Sequence, residues 1–485
     1  MSEAVAALPA KQVYVPPEVN PWFIALTVTL ATFMEVLDTS IANVSLPHIA
    51  GGLAAGVDES TWILTSYLVS NAIVLPMSGW FSSMIGRKRF YMSCVAIFTI
   101  SSFLCGLAPN LATLILFRVL QGAGGGGLQP SEQSILADTF APEKRGMAFA
   151  VYGMAVVVAP AIGPTLGGFI TDNYSWRWIF YINIPVGIIS LLLTSRVIKD
   201  PPHLSGARRK GGMNIDYIGL GLLALGLGAL QVVLDKGQRE DWFESHMILI
   251  LSIVSAAALI AVVVWEWRAE HPIIDLKLFR DRSFAIGNSM MFMLGFILLG
   301  STVLLPLFVQ TMLGYTATDA GLVISPGGFA IMAIMPLVGA LVARVDARVL
   351  ILFGLVTASL ALWRMTSFDL DIDYATVAWA RVYQSLGLAF LFIPINTVAF
   401  LGLPPAKSGN ASAIINMMRN VGGSFGIALA TTLLARRQQW HQNILVAHVT
   451  PFSSAYDTTI QALQQAFLAQ SKIDVPLPRP ASRVS

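Results

Sequence analysis

The sequence predicts an all-α polytopic membrane protein: two pseudo-equivalent six-helix bundles with two extra helices inserted between them. Three observations carry this reading. The 485-residue chain is 55% hydrophobic and only 12% charged, against about 25% charged in a soluble domain. Thirteen apolar runs are each long enough to cross a bilayer, for which about 20 residues suffice. Landmark residues recur in the same order, at nearly the same spacing, in both halves.

The runs fall at about 22–47, 60–82, 90–108, 111–136, 146–170 and 177–196, then 216–235 and 246–267, then 284–312, 319–343, 348–366, 374–402 and 409–435. They divide the chain into an amino-terminal tail (1–20), a first bundle (21–198), a basic linker (199–215) and two inserted helices (216–267). A second linker (268–283), a second bundle with five recognisable helices (284–435) and a polar tail (436–485) follow. The last helix is therefore expected to be missing. The tail carries one amphipathic stretch (Ile460, Leu463, Phe467, Leu468) before PLPRPASRVS, and parity leaves it on the outer side. Nothing before Asn20 reads as a cleavable signal, so the first span is expected to direct insertion.

Basic residues occupy alternate connections: Arg87 to Arg89, Lys144 and Arg145, Arg208 to Lys210, Arg268 to Arg282, Arg344 and Arg348, and Lys407. The intervening connections carry Asp58, Glu59, Asp172, Asp319, Asp369, Asp371 and Asp373. The positive-inside rule then puts the amino terminus in the cytoplasm. The repeat is equally direct. Pro47, Pro76, Arg118 and Gly163 are separated by 29, 42 and 45 residues, and Pro306, Pro336, Arg381 and Gly426 by 30, 45 and 45. PMSG at Pro76 matches PLVG at Pro336, and RVLQGAG at Arg118 matches RVYQSLG at Arg381. Such duplication is the signature of a transporter that rocks one half against the other.

The first span holds the chemistry that most needs explaining. Glu35 and Asp38, three apart, share a helix face with Thr39, Ala42 and Asn43. An ionised acid at membrane depth costs at least ~2.5 kcal/mol, so it faces protein or a wet cavity. Either the acids make an interhelical polar contact, or they form a proton or substrate site; two acids and an amide on one face favour the second. Arg118 lies inside the fourth span beside Gln121 and the run Gly122–Gly127. Its guanidinium cannot lose its proton, so it needs backbone carbonyls or an acid such as Asp38. The run matches G-x-G-x-x-G, but without a preceding strand or a βαβ unit it is no dinucleotide site. Close packing through Gly122 and Gly126 accounts for it.

In the fifth span Ala155, Ala159, Gly163 and Gly167 recur every four residues and Pro160 and Pro164 interrupt the helix. That predicts a bent helix in dry contact with the other half, along a seam that opens and reseals. The loop GWFSSMIGRKRF, with Gly79, Gly86, Arg87 and Lys88, is either a topology anchor or a latch, and its second copy starts at Gly339. Glu132 is a further candidate for a proton site, with Asp138 at the interface. Asn288, Gln310 and Asn396 either line a cavity or join helices, and Met and Phe reaching the cavity would give a deformable apolar pocket. Cys94 and Cys105 are eleven apart on one run, roughly 16 Å along the helix, and are packing residues. No Walker sequence, metal cluster or nucleophile constellation is present, so neither direct ATP use nor enzyme activity is expected.

Together LDTSIANVSLP, GWFSSMIGRKR, FRVLQG, APAIGPTLGG, WRWIFYINIPVG and HPIIDLKLFRDRSF resemble the major facilitator superfamily, specifically its fourteen-span drug/proton antiporters of the EmrB/QacA kind. The resemblance runs from about Pro21 to Gln439 and is strongest to the EmrB type. It implies the major facilitator fold and proton-driven export of hydrophobic or cationic compounds across the bacterial inner membrane. It also implies a periplasmic adaptor and a TolC-like outer-membrane channel as partners. No cofactor beyond the proton gradient and no nucleic acid is implied. By position, Asp38 matches the family's first-span acid, Arg118 its fourth-span arginine, and Gly163, Pro164, Gly167 and Gly168 its antiporter motif. The loop motif usually carries an Asp where this chain has Ser83, and Ala343 in the second copy. Glu35, Asp38, Arg118 and Glu132 are thus the expected proton-coupling groups, and Asn43, Gln121, Asn288 and Asn396 the expected polar lining. Two alternatives stay open: a dedicated exporter of an endogenous metabolite such as a siderophore, and a non-transporting membrane scaffold or sensor.

Overall fold

A computed structural model describes residues 19–200, 216–269, 272–448 and 454–470. The tail before residue 19, nearly all of the 199–215 linker and the PLPRPASRVS end lie outside the described residues. Every expected span is helical. They are α1 (Pro21–Val44), α2 (Trp62–Ile85), α3 (Arg87–Leu107), α4 (Leu111–Thr139), α5 (Pro142–Asn173), α6 (Trp178–Val197), α7 (Tyr217–Lys236) and α8 (His246–Arg268). The second half adds α9 (Arg282–Thr311), α10 (Ala317–Leu341), α11 (Ala347–Met365), α12 (Tyr374–Ala399) and α13 (Ser408–His448). In the tail, Ser454–Gln470 forms α14.

The count of spans differs from thirteen. Among the described residues 11 helices are long and apolar enough to cross a membrane, or 12 with bent α5 taken as one span. Helix α13 falls outside that set because Asn416, Arg419 and Asn420 lower its hydropathy. Two compact units are present: the first ends at Leu429, and the second begins at Ala430 and includes α14.

Local chemistry sets several helix ends. Asn20 accepts from the Trp22 N–H, with Pro21 at the first helical position of α1. Asn110 caps α4 and Asp281 caps α9, while Thr316 and Asp319 cap one another across the first turn of α10. Between α2 and α3 the chain turns at Gly86, whose φ of 95° suits glycine. Helix α5 bends by 41° between Pro142–Pro160 and Ile162–Asn173, as its prolines predict.

The inserted pair packs α7 onto α8 and onto α2. Asp235 accepts from Thr65, Lys236 donates to Thr61 and lies over the Trp62 ring, and Ser424 of α13 donates to Gln231 at 3.0 Å. Helix α8 leaves Ile250, Ile253 and Ile260 about three-fifths exposed, an apolar surface that suits lipid and not water.

Glycines set the closest helix approaches. A Cβ on Gly422 would lie 2.1 Å from the Phe292 carbonyl oxygen of α9, and one on Gly426 2.2 Å from that of Phe296. Gly422→Val therefore forces α9 and α13 apart, with an expected cost of at least 1–3 kcal/mol. Melting of purified protein in detergent checks this: Gly422→Val melts well below wild type, and Ile260→Val on the exposed face of α8 does not.

Candidate functional site

Five helices of the first half converge on Asp38. Its Oδ2 lies 2.6 Å from Arg118 Nη1, and its Oδ1 accepts from Gln121 Nε2 at 3.0 Å and Asn183 Nδ2 at 2.7 Å. Arg118 also donates to Gln121 Oε1 (2.7 Å) and the Ile63 carbonyl (3.2 Å), and its guanidinium stacks 4.3 Å from the Tyr67 ring centroid. Asn183 is held in turn by Ser102 at 3.0 Å. Asp38 is 1% exposed and Arg118 0%, so water screens neither charge. Breaking such a pair by removing one partner leaves a stranded charge, at a cost of about 3–5 kcal/mol.

One turn earlier, Glu35 belongs to a different network. Tyr67 and Asn71 donate to its Oε1 at 3.0 and 3.3 Å, and Gln129 Nε2 donates to its Oε2 at 2.7 Å. Gly125 makes room here, since a Cβ would meet Tyr67 Oη at 2.6 Å. Through Gln129 the network crosses to the second half, where Arg419 Nη2 donates to Gln129 Oε1 and Arg419 Nη1 donates to Tyr152 Oη at 2.9 Å. The Tyr152 hydroxyl is within reach of Gln129 Oε1 (3.1 Å) and Asn416 Oδ1 (3.0 Å). Asn416 then donates to Gln133, and Gln133 to Asn396, at 2.8 and 3.1 Å. Glu132 stands apart, fully buried, with Thr29 donating to it at 2.5 Å.

A second set of contacts joins the halves at the end that carries the basic loops. Gly79 lies against the backbone of Gly409 and Asn410 at the start of α13, and Gly339 against Gly146 and Met147 of α5. These are the matching glycines of PMSG and PLVG, so each copy of the repeat seats the opposite half. Arg87 is ion-paired with Asp138, donates to the Ser134 carbonyl at 3.2 Å, and reaches across to Ser408 Oγ at 3.1 Å. Lys88 donates through its backbone N–H to Asp200 (2.7 Å) and through Nζ to the Ser195 carbonyl (2.5 Å).

Two helix bundles, a repeated Arg–Gln pair and glycine seams at matched positions describe one known architecture. A model described as Major Facilitator Superfamily matches residues 28–427. The chain belongs to the major facilitator superfamily. It is 38% identical over 452 residues to the multidrug export protein EmrB of Haemophilus influenzae, covering 93% of this chain and 87% of that one. It is 40% identical over 444 residues to the fatty acid resistance protein FarB of Neisseria gonorrhoeae, covering 91% and 86%. Its fold is similar to that of the proton:xylose symporter XylE, bound to 6-bromo-6-deoxy-D-glucose, with a TM-score of 0.63 over 93% of this chain and 95% of that one at 16% identity.

The structure brings Asp38, Arg118 and Gln121 together, and it separates Glu35 and Asn396 into the network that crosses between the halves. Asn43 is exposed and outside both networks: at 100° per residue it lies about 80° round the helix from Glu35 and about 140° from Asp38. Asn288 is fully buried outside both networks and donates to the Phe284 carbonyl of its own helix at 2.8 Å. Gln310 is exposed.

The stripe of small residues on α5 also departs from expectation. Gly163 and Gly167 sit against Ser40 and Ile41 of α1, in the same half, and Ser40 donates to the Pro160 carbonyl at 3.3 Å. Gly168 only accepts, at 3.1 Å, from Thr171 one turn on. The seam to the second half uses Gly146, Gly153 and Thr165 instead, against Gly339, Met335 and Gly321. Pro164 and Pro160 therefore bend α5 without placing the stripe on the seam. Gly122 and Gly126 do pack as read, against the Tyr67 and Asn71 carbonyls of α2.

Sequence reasoning missed Arg419, Gln129, Tyr152, Asn416 and Asn183. Arg419 carried a usable signal, being a guanidinium within a span as Arg118 is. The others are neutral groups whose partners lie on distant helices.

The Arg87 contact predicts a latch. Arg87→Ala, in protein with Cys94 and Cys105 replaced and Asn410→Cys introduced, is expected to raise the maleimide labelling rate at position 410 about tenfold, a shift of ~1.4 kcal/mol in the closed–open balance. Labelling unchanged from that of the Arg87-containing parent would contradict it.

Proposed function

We propose that this chain is a proton-coupled exporter of hydrophobic or cationic toxic compounds, working by alternating access across the bacterial inner membrane with its amino terminus in the cytoplasm. The observation that carries the reading is the fully buried Asp38–Arg118 pair within a fold shared with multidrug exporters. An acid so placed has two stable partners, the guanidinium when ionised and a proton when neutral. Exchange of one for the other changes the net charge of the first half without moving a side chain far.

In this cycle the cytoplasm-facing protein holds Asp38 ionised against Arg118 and admits substrate between the halves. After the flip the substrate leaves, Asp38 takes a proton from the outer side, and the protonated bundle returns and releases that proton to the cytoplasm as the next substrate enters and the pair with Arg118 re-forms. Glu35, whose network reaches Arg419 across the seam, is suited to meet a cationic substrate as the halves part. The basic-loop end is closed by the Gly79 and Gly339 contacts and by Arg87, so return to the cytoplasm-facing state requires these to separate. The resemblance of its motifs to the EmrB type implies assembly with a periplasmic adaptor and a TolC-like channel, and kinship with the fatty acid resistance protein FarB supports a substrate range extending to amphiphilic acids.

The test is drug flux in proteoliposomes. With an imposed pH gradient the wild type drives ethidium against its concentration, and Asp38→Asn falls to the rate of protein-free vesicles while still inserting. Wild-type flux in Asp38→Asn would overturn the assignment, and no gradient-dependent flux in the wild type would overturn the exporter reading.

A further inference from the structure

The repeat places an arginine and a glutamine three residues apart in both halves, and both pairs make the same bond: Arg118 Nη1 to Gln121 Oε1 and Arg381 Nη1 to Gln384 Oε1, each 2.7 Å. Their surroundings differ at the remaining donors: Arg118 Nε is bonded to the Ile63 carbonyl and its Nη2 is unpartnered, whereas Arg381 Nε is unpartnered and its Nη2 is bonded. Arg118 meets a carboxylate on the first helix of its half, Asp38 of α1. The first helix of the second half, α9, offers Arg381 only the Thr302 hydroxyl, 3.2 Å from Nη2. Among the described residues no carboxylate is ion-paired with Arg381.

Arg381 is 6% exposed and Gln384 0%. Arg381 Nε and Gln384 Nε2 are buried donors without a hydrogen-bond partner. A guanidinium stays protonated in this setting, and a buried charge is tolerated only when something answers it. Nε and Nη2 form one edge of the planar fork, the edge that takes a carboxylate in two parallel hydrogen bonds. Here one donor of that edge is empty and the other holds a threonine hydroxyl.

We propose that Arg381, Gln384 and Thr302 form an anion site of the second half, which receives the carboxylate of an amphiphilic acid carried by the transporter. The inference rests on the exporter reading and assigns the acid group of such substrates a binding place in the second half. The first half answers its arginine at Nη1 with an internal acid, Asp38; in the second half a carboxylate that arrives with the cargo takes the Nε–Nη2 edge of Arg381. Each half thus completes the same Arg–Gln pair in its own way.

The experiment measures binding of decanoate, decanol and tetraphenylphosphonium to the full chain in nanodiscs, with excess sodium chloride as a further arm. The wild type is expected to bind decanoate more tightly than decanol and to hold it against chloride. Arg381→Gln is expected to weaken decanoate about tenfold or more, as for a lost charge-assisted hydrogen bond, and to leave tetraphenylphosphonium unchanged. Thr302→Asp, which supplies an internal acid and keeps the arginine, is expected to cause the same selective loss. A residue that merely supports the fold would tolerate Thr302→Asp, because the added acid satisfies the guanidinium. Unchanged decanoate binding in either variant overturns the proposal, as do equal binding of decanol, displacement by chloride, or parallel loss of tetraphenylphosphonium. Absence of wild-type flux under a pH gradient would instead count against the exporter reading, and the binding comparison stands apart from it.

Discussion

The interaction on which the rest depends is the ion pair between Asp38 and Arg118, closed off from solvent by five helices. Taking two charges out of water is expensive, and the cost is offset only where geometry and additional hydrogen bonds are good. That condition explains the composition around it. Gln121 and Asn183 satisfy the second carboxylate oxygen, the Ile63 carbonyl takes Nε, and Tyr67 presents its ring face to the cation. Gly122 and Gly126 bring α4 close enough to α2 for these contacts to form. Replacing such a pair by apolar residues of similar volume is often neutral or stabilising, so stability alone does not account for the charged pair.

The halves meet through contacts of another kind. At the basic-loop end they touch by glycine against backbone and by one arginine that reaches a serine. Across the middle they share a ladder of amides and hydroxyls from Gln129 to Asn396, with Arg419 donating into it. The amide and hydroxyl bonds contribute about 0.5–1.5 kcal/mol each and those from Arg87 and Arg419 about 1.5–3, and water can replace both kinds when a seam opens. The buried ion pair thus lies inside one bundle, and the contacts between bundles are hydrogen bonds that water can replace.

Much of this was legible in the sequence because its causes are local or periodic. Apolar runs mark the spans, and Pro76 with Gly79 against Pro336 with Gly339 mark the two seams, since a repeat must reuse its joints. Asp38 and Arg118 stand out because an ion in an apolar run needs a partner. What stayed hidden depends on azimuth and on distant helices. Asn43 was placed on the acidic face by proximity along the chain, and the helical angle removes it. Gly163 and Gly167 advertise close packing without saying which neighbour packs, and α1 was nearer than the other half. Arg87 takes its acid from Asp138, 51 residues away and outside the loop motif. Gln129 and Tyr152 are neutral, so no energetic argument singled them out.

In the proposed cycle Asp38 alternates between Arg118 and a proton as substrate binds and leaves. Proton release on adding tetraphenylphosphonium to detergent-solubilised protein in weak buffer tests it most directly. Measurable release is expected from the wild type and none from Asp38→Asn. Equal release from both would contradict it.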